Sequence, residues 1–464
     1  MASNVARLSS RNKIVRLFYG IILTFLAWKF IFRRAGLQKL NEPNDFSEVA
    51  VGSKVDDVFF AGCRDPFAYT EQAGYQRQNA TFVMLTRNNE LKDVLATMRS
   101  LERHFNQWFM YPYVFLNEDP FTEEFQERVR DATAADVSFG LVEESDWEFP
   151  RDVRQSAEFK EYIADQGDRG IMYGNMESYH KMCRFYSGTF FKHPLVARNR
   201  WYWRIEPDVE FFCDITYDPF YEMEIRNKKY AFTVLIRELY WTVPNLFRQT
   251  RSFVREHGIK VGHPLWRVFV DERKQHEPEP LENIDPRDRL AALISRATNP
   301  LPIEEDKFDN EEYNLCHFWT NFEIARVDIF NSRIYQAYFE HLENSGGFWT
   351  ERWGDAPVHS LGLALSLKIE DIHYFRDIGY QHSTLAHCPA NRAGAQLPYV
   401  TNPEHARIFA SKSSRSASIF RRFTRFRSPE TEYGVGCRCE CPRKRDVEDN
   451  AWECFAKWYE ATRP

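Results

Sequence analysis

The run Thr81-Phe82-Val83-Met84-Leu85-Thr86 is compact and β-rich, and it stops at Arg87-Asn88-Asn89, residues suited to a turn and a helix N-cap. Leu91, Val94, Leu95, Met98, Leu101 and Phe105 then recur at intervals of three and four, the spacing of an amphipathic helix. Tyr113-Val114-Phe115-Leu116 reads as a second strand. A strand–helix–strand unit of this kind joins parallel neighbours, because a tight hairpin cannot connect them. The expected class is therefore α/β, with a mixed, largely parallel sheet flanked by helices. In such sheets ligands sit beyond the carboxyl ends of the strands, the position of Thr86 and Arg87. Neither G-x-G-x-x-G nor G-x-x-x-x-G-K-S/T follows, which argues against a dinucleotide oxidoreductase and a P-loop nucleotidase.

Ahead of this unit, residues 17–32 read LFYGIILTFLAWKFIF, preceded by Arg7, Arg11, Lys13 and Arg16. As a helix the segment would rise roughly 24 Å, a little short of the ~27 Å core of an early secretory membrane. Lys29 can snorkel to the interface. No small-x-small cleavage site follows, so a transmembrane signal anchor is favoured over a cleaved signal peptide. The density of basic residues before it favours a cytosolic tail at 1–16 and a lumenal body. Residues 33–78 read as a stem and 79–464 as one folded domain. Within that domain, residues 244–310, rich in proline and charge, read as an insertion wrapped over the body. The Ser/Arg-rich stretch within 408–430 reads as a flexible basic loop.

A formal net charge of −6 over 464 residues leaves no basic excess to hold a nucleic-acid backbone, so that partner is not expected. There are nine cysteines, and Cys437, Cys439 and Cys441 alternate along one segment. That spacing does not match zinc pairs; in an oxidising lumen disulfides are the better reading, with at least one thiol left over. Further strands are expected at Trp201–Ile205, Tyr230–Ile236 and Ile372–Phe375, and helices around Met176–Tyr186, Arg326–Glu343 and Val358–Leu367.

Four stretches carry candidate chemistry. Trp201-Tyr202-Trp203-Arg204-Ile205 runs straight into Glu206-Pro207-Asp208-Val209-Glu210. Acids clustered at a strand end suit a hard divalent cation that bridges diphosphate oxygens, although a solvated acidic turn would look the same. In Asp355-Ala356-Pro357-Val358-His359, Asp355 can cap a helix and His359 could join a cation; Mn²⁺ accepts such mixed ligation more readily than Mg²⁺. Glu323 stands inside the apolar run Phe318-Trp319-Thr320-Asn321-Phe322-Glu323-Ile324-Ala325. Burial of a carboxylate there needs compensation, so Glu323 is either a hydrogen-bonded anchor or a catalytic group facing a reacting sugar carbon. Arg184 and Tyr186, in Tyr179-His180-Lys181-Met182-Cys183-Arg184-Phe185-Tyr186-Ser187-Gly188, could meet a phosphate or nucleoside; an ordinary charged helix explains them nearly as well.

Taken together, these stretches resemble the fungal Golgi α-1,2-mannosyltransferases, single-pass type II membrane enzymes with a lumenal catalytic domain. The resemblance spans roughly residues 79–389 and rests on NATFVMLTRNNEL, HKMCRFYSGTFFKHP, WYWRIEPDVEFFCDI, NLCHFWTNFEIARVDIF and GGFWTERWGDAPVHSLGLAL followed by YQH. It implies a GT-A-like fold, GDP-mannose as donor, Mn²⁺ as cofactor, an α-mannoside on a glycoprotein as acceptor, and retention of configuration. It also implies Glu206 and His359 at the metal with Asp208 close by, and Glu323 as nucleophile or oxocarbenium-stabilising carboxylate. Thr86, Arg87 and Tyr186 would contact GDP, and Asp355 would lie near the donor sugar or metal. A glycoside hydrolase, or an inactive mannan-binding relative, is the alternative.

Overall fold

The computed structural model describes residues 57–272, 282, 284–298, 310–410, 425–442 and 452–462. The expected anchor, most of the stem and residues 411–424 of the basic loop lie outside them. Among the described residues no helix is long and apolar enough to cross a membrane.

The expected strand–helix–strand unit forms from β1 (Ala80–Leu85), α1 (Leu91–Leu101) and β2 (Tyr113–Asn117). After β3 (Val137–Leu141) and α2 (Glu177–Gly188) come β4 (Trp201–Arg204), β5 (Val209–Phe211), β6 (Tyr230–Phe232) and β7 (Leu235–Arg237). They are followed by β8 (Cys316–Phe318), β9 (Glu323–Arg326), α3 (Arg333–Asn344), α4 (Asp355–Ala364), β10 (Ile372–Tyr374) and β11 (Tyr380–His382). The main sheet has seven strands in the order β10-β6-β9-β4-β1-β2-β3. Every neighbouring pair is parallel except the two made by β9, which runs against both β4 and β6.

Period-two alternation divides the core between the two faces of this sheet. Phe82, Met84, Trp201, Trp203 and Ile324 point to the α1 side, where Phe105 lies against both Phe82 and Trp203. Val83, Tyr202, Ala325, Tyr230 and Phe232 point to the side covered by α2 and α4. A fully buried Phe such as Phe82 contributes roughly 1.5–3 kcal/mol by leaving water.

Three expectations change. The apolar run Tyr230–Ile236 is not one strand: β6 joins the main sheet, whereas β7 pairs with β8 in a separate ribbon. An apolar run carries no mark of where a chain leaves a sheet. The stretch from 244 is not a wrapping; Leu246–Glu256 and Pro264–Phe269 are helices whose Leu246, Phe253, Leu265, Trp266 and Phe269 belong to the core. Arg248, Arg255 and Glu256 lie on the outer face of the first helix, whereas Arg251 is buried and pairs with Glu311. Finally, Gly354 rather than Asp355 occupies the N-cap of α4, and the Asp355 carboxylate is free for another task.

The cysteines pair as Cys63–Cys437, Cys213–Cys439, Cys316–Cys454 and Cys388–Cys441, and buried Cys183 is the free thiol. The three alternating cysteines thus reach three different partners. They staple the C-terminal segment to the start of the described chain, to the stretch just past β5 and to the stretch past β11.

Candidate active site

The central strand β4 ends at Arg204, and the acidic turn follows at once. Pro207 stops the strand, and Asp208 takes a left-handed conformation (φ 61°), which Asp tolerates better than most residues. Thr97 of α1 fixes the turn from both sides. Its hydroxyl donates to the Glu206 carbonyl (3.0 Å) and accepts from the Val209 amide (2.9 Å). The turn is therefore a built corner, held by the helix of the first strand–helix–strand unit.

Arg204 is buried at the centre of the site. Its Nε donates to Glu206 Oε1 at 2.7 Å, and its Nη1 donates to Asp355 Oδ2, which also accepts from the Thr320 hydroxyl at 2.7 Å. Its guanidinium lies 3.4 Å over the ring of Tyr186, a cation–π contact that fixes its plane. Burial alone would push the Asp355 carboxyl up, but Arg204, with His359 and Thr320, holds it below the usual carboxylate range. One buried cation thus orients two carboxylates, from the end of β4 and the start of α4.

A cleft opens over the carboxyl ends of β1 and β2. Its walls include Thr86, Arg87, Asn117, Ser178 and Tyr179, and Glu206 with Pro207 lies at its edge. Glu90 arranges the first wall: one carboxylate oxygen accepts from the Thr86 hydroxyl (3.0 Å) and the Arg87 amide (2.8 Å), the other from Arg87 Nη2 (2.8 Å). The structure thus brings Thr86, Arg87 and Glu206 to one opening, with Asp355 and Tyr186 joined to Glu206 through Arg204; Asp208 stands exposed in the same turn.

Two expected site residues land elsewhere. His359 is wholly buried, with Nδ1 2.8 Å from Glu323 Oε2 and Nε2 2.8 Å from the Tyr186 carbonyl oxygen. Both neighbours accept hydrogen bonds, so the ring donates from both nitrogens and has no lone pair for a metal. Burial alone would lower its pKa; the Glu323 carboxylate outweighs burial and raises it. Arg184 donates to Glu343 (2.6 Å) and to the Asp146 carbonyl (2.9 Å), so it ties α2 to α3 and to the short helix Glu144–Trp147 rather than facing a nucleotide.

Glu323 heads β9 directly opposite Arg204, and it too is wholly buried. It accepts from the Tyr202 hydroxyl as well as from His359. Those partners supply the compensation that a carboxylate in an apolar run requires.

His382 is the residue that sequence reasoning left without a role. It ends β11, opposite Val209 in the antiparallel pair with β5. Burial lowers its pKa, while Glu206 and Asp208 are close enough to pull it upward. The YQH tripeptide was visible, but only strand pairing carries it across to the acidic turn. Among the described residues no three His, Cys, Asp or Glu side chains form a ready-made metal cage. Glu206 in the cleft wall, with the His382 imidazole near enough to feel its charge, instead fits a cation that takes its remaining ligands from a diphosphate.

A largely parallel sheet with one reversed strand, ending in an acidic turn beneath a cleft, defines a glycosyltransferase fold of the nucleotide-sugar type. The chain belongs to the glycolipid 2-alpha-mannosyltransferase family, whose sequence pattern matches residues 45–396. It is 48% identical to a probable mannosyltransferase of Saccharomyces cerevisiae over 485 aligned residues, covering 96% of this chain and 88% of the relative. Core-mannan synthase A of Aspergillus fumigatus, solved in an Mn/GDP form, superposes with a TM-score of 0.59 at 35% identity, over 75% of this chain and 85% of its own. A mannosyltransferase of S. cerevisiae solved with GDP gives a TM-score of 0.59 at 31% identity, over 83% and 92%.

Proposed function

We propose that this protein transfers mannose from GDP-mannose to the 2-hydroxyl of an α-mannoside on a glycoprotein, with retention of anomeric configuration. The observation that carries the reading is Glu206, oriented by buried Arg204 at the carboxyl end of the central strand and opening on the Thr86–Arg87 cleft. The Mn/GDP form of the Aspergillus relative supports the choice of ligands. Glu206 and His382, with Asp208 beside them, would hold Mn²⁺. When bound, the ion would offset the charge on the departing diphosphate.

The chain's own residues do the rest. Thr86 and Arg87 meet the nucleotide at the strand ends, where Arg87 adds a cation toward its phosphates. Arg204 holds the Asp355 carboxyl below its usual range and aims both Glu206 and Asp355. Donor cleavage breaks the bond between mannose C1 and the phosphate oxygen. The acceptor 2-hydroxyl forms the new bond on the face GDP vacates, and its proton passes to the departing phosphate oxygen. Glu323, buried with both carboxylate oxygens engaged, supports this same-face route over attack by its carboxylate. The four disulfides fit an oxidising lumen, in keeping with Golgi residence behind an anchor at 17–32.

Purified full-length protein in detergent, given labelled GDP-mannose and methyl α-mannoside, should form a dimannoside, and product NMR should report an α-1,2 bond. EDTA should stop the reaction and Mn²⁺ should restore it. Failure to transfer to any of a range of α-mannosides would overturn the reading.

A further inference from the structure

Next to the Asp355 end of the site, residues 238–245 form a short arch. Its first foot is Glu238, whose Oε1 accepts from Arg352 Nη2 (3.4 Å) and from the Leu239 amide (2.8 Å). Its other foot is Asn245, whose amide and side-chain nitrogen donate to the two oxygens of Glu351 at 3.2 and 2.6 Å. Both feet stand on the loop that leads into Asp355. Arg352 in turn lies 5.4 Å over the ring of Tyr179, a wall of the cleft. The arch is thereby continuous with the reaction centre.

The crown of the arch is Leu239-Tyr240-Trp241, and all three side chains face solvent, Trp241 with 66% of its surface exposed. The rings of Tyr240 and Trp241 sit 5.2 Å apart, near perpendicular. Thr242 is buried and donates to the Leu239 carbonyl at 2.7 Å, which locks the turn with the rings outward. A rigid turn that spends two large aromatics on water next to an active site marks a recognition surface. Pyranose rings present apolar C–H faces edged by hydroxyls, which stack on exposed indole and phenol rings while the hydroxyls stay wet.

Resting on the activity proposed above, we infer that Tyr240 and Trp241 form the platform on which the outer mannose residues of the acceptor glycan stack, while its terminal sugar enters the cleft. A platform beyond the cleft should matter more for long acceptors than for methyl α-mannoside. With full-length protein, Trp241→Ala should raise KM for α-1,2-mannotriose about tenfold, the equivalent of one well-stacked ring at 1.4 kcal/mol per decade. It should leave kcat and the KM for GDP-mannose within twofold, and Trp241→Phe should recover most of the loss. Saturation-transfer NMR of mannotriose, with no donor present, should lose its signal in Trp241→Ala and Tyr240→Ala. Because that readout needs no turnover, it tests the platform even if mannosyl transfer is absent. An unchanged NMR signal and an unchanged mannotriose KM would overturn the inference. So would a Trp241→Ala variant that alters only self-association or detergent-micelle binding.

Discussion

Two carboxylate–cation groups sit side by side on neighbouring strands, and they have opposite fates. Arg204 with Glu206 and Asp355 opens on the cleft; Glu323 with His359 is sealed. The first residues of the two sets, Arg204 and Glu323, are direct partners across β4 and β9. What separates them is the covering layer: Tyr186 lies beneath the Arg204 guanidinium and its carbonyl closes over His359. Position relative to the strand end, rather than residue type, decides which acid can meet a substrate. The group that reaches the cleft through Glu206 can spend its charge on a ligand, while the sealed group spends it holding helix, strand and aromatic floor together.

The largest effect should come from the open group. Glu206→Ala should lower transfer by about 10³-fold or more, the scale of losing a pre-aimed electrostatic contact, a loss that persists in the fraction that remains folded. Glu210→Ala, four residues on, should cost less than about threefold, a surface-scale change of well under 1 kcal/mol. Labelled-mannose transfer beside thermal melts separates the two, and similar losses for both would dissolve the distinction between the turn's acids.

For the sealed group the expected loss is in folding. His359→Ala strands a buried carboxylate and should cost about 3–5 kcal/mol in urea unfolding. Glu323→Gln keeps an acceptor for Tyr202 and should retain measurable transfer once folded. A folded Glu323→Gln enzyme with no transfer, and a trapped mannosyl–enzyme adduct in the wild type, would move Glu323 from scaffold to nucleophile.

The smallest effect is in pH. The folded pKa of His359 is raised, so its contribution is fully present below the ordinary His pKa of about 6.5 and fades as pH climbs through the raised value. The Tm gap between wild type and His359→Gln should therefore narrow from pH 6 toward pH 9. A gap that widened with pH would mean His359 is neutral in the fold.

Much of this was legible before any coordinates. The strand at Trp201–Ile205 and the acidic turn at its end were legible in the sequence. Thr86 and Arg87 followed from the rule for parallel sheets. The errors share one cause. His359 looked like a ligand because it follows Asp355 by one helical turn, yet the helix that exposes Asp355 to Arg204 turns His359 inward. Arg184 looked like a phosphate contact until Glu343, far along the chain, took its Nε. His382 was visible only within the YQH tripeptide, which by itself points to no role.

The sequence by itself determined the α/β class, the faces of the strands, the acid-ended central strand and the preference for disulfides, because each is written in contacts between near neighbours. Only the tertiary structure decided which carboxylate is open, which histidine joins it and which cysteines pair. Those choices depend on residues brought together from distant positions by the reversed strand β9 and the β5–β11 pairing, and no local period encodes them.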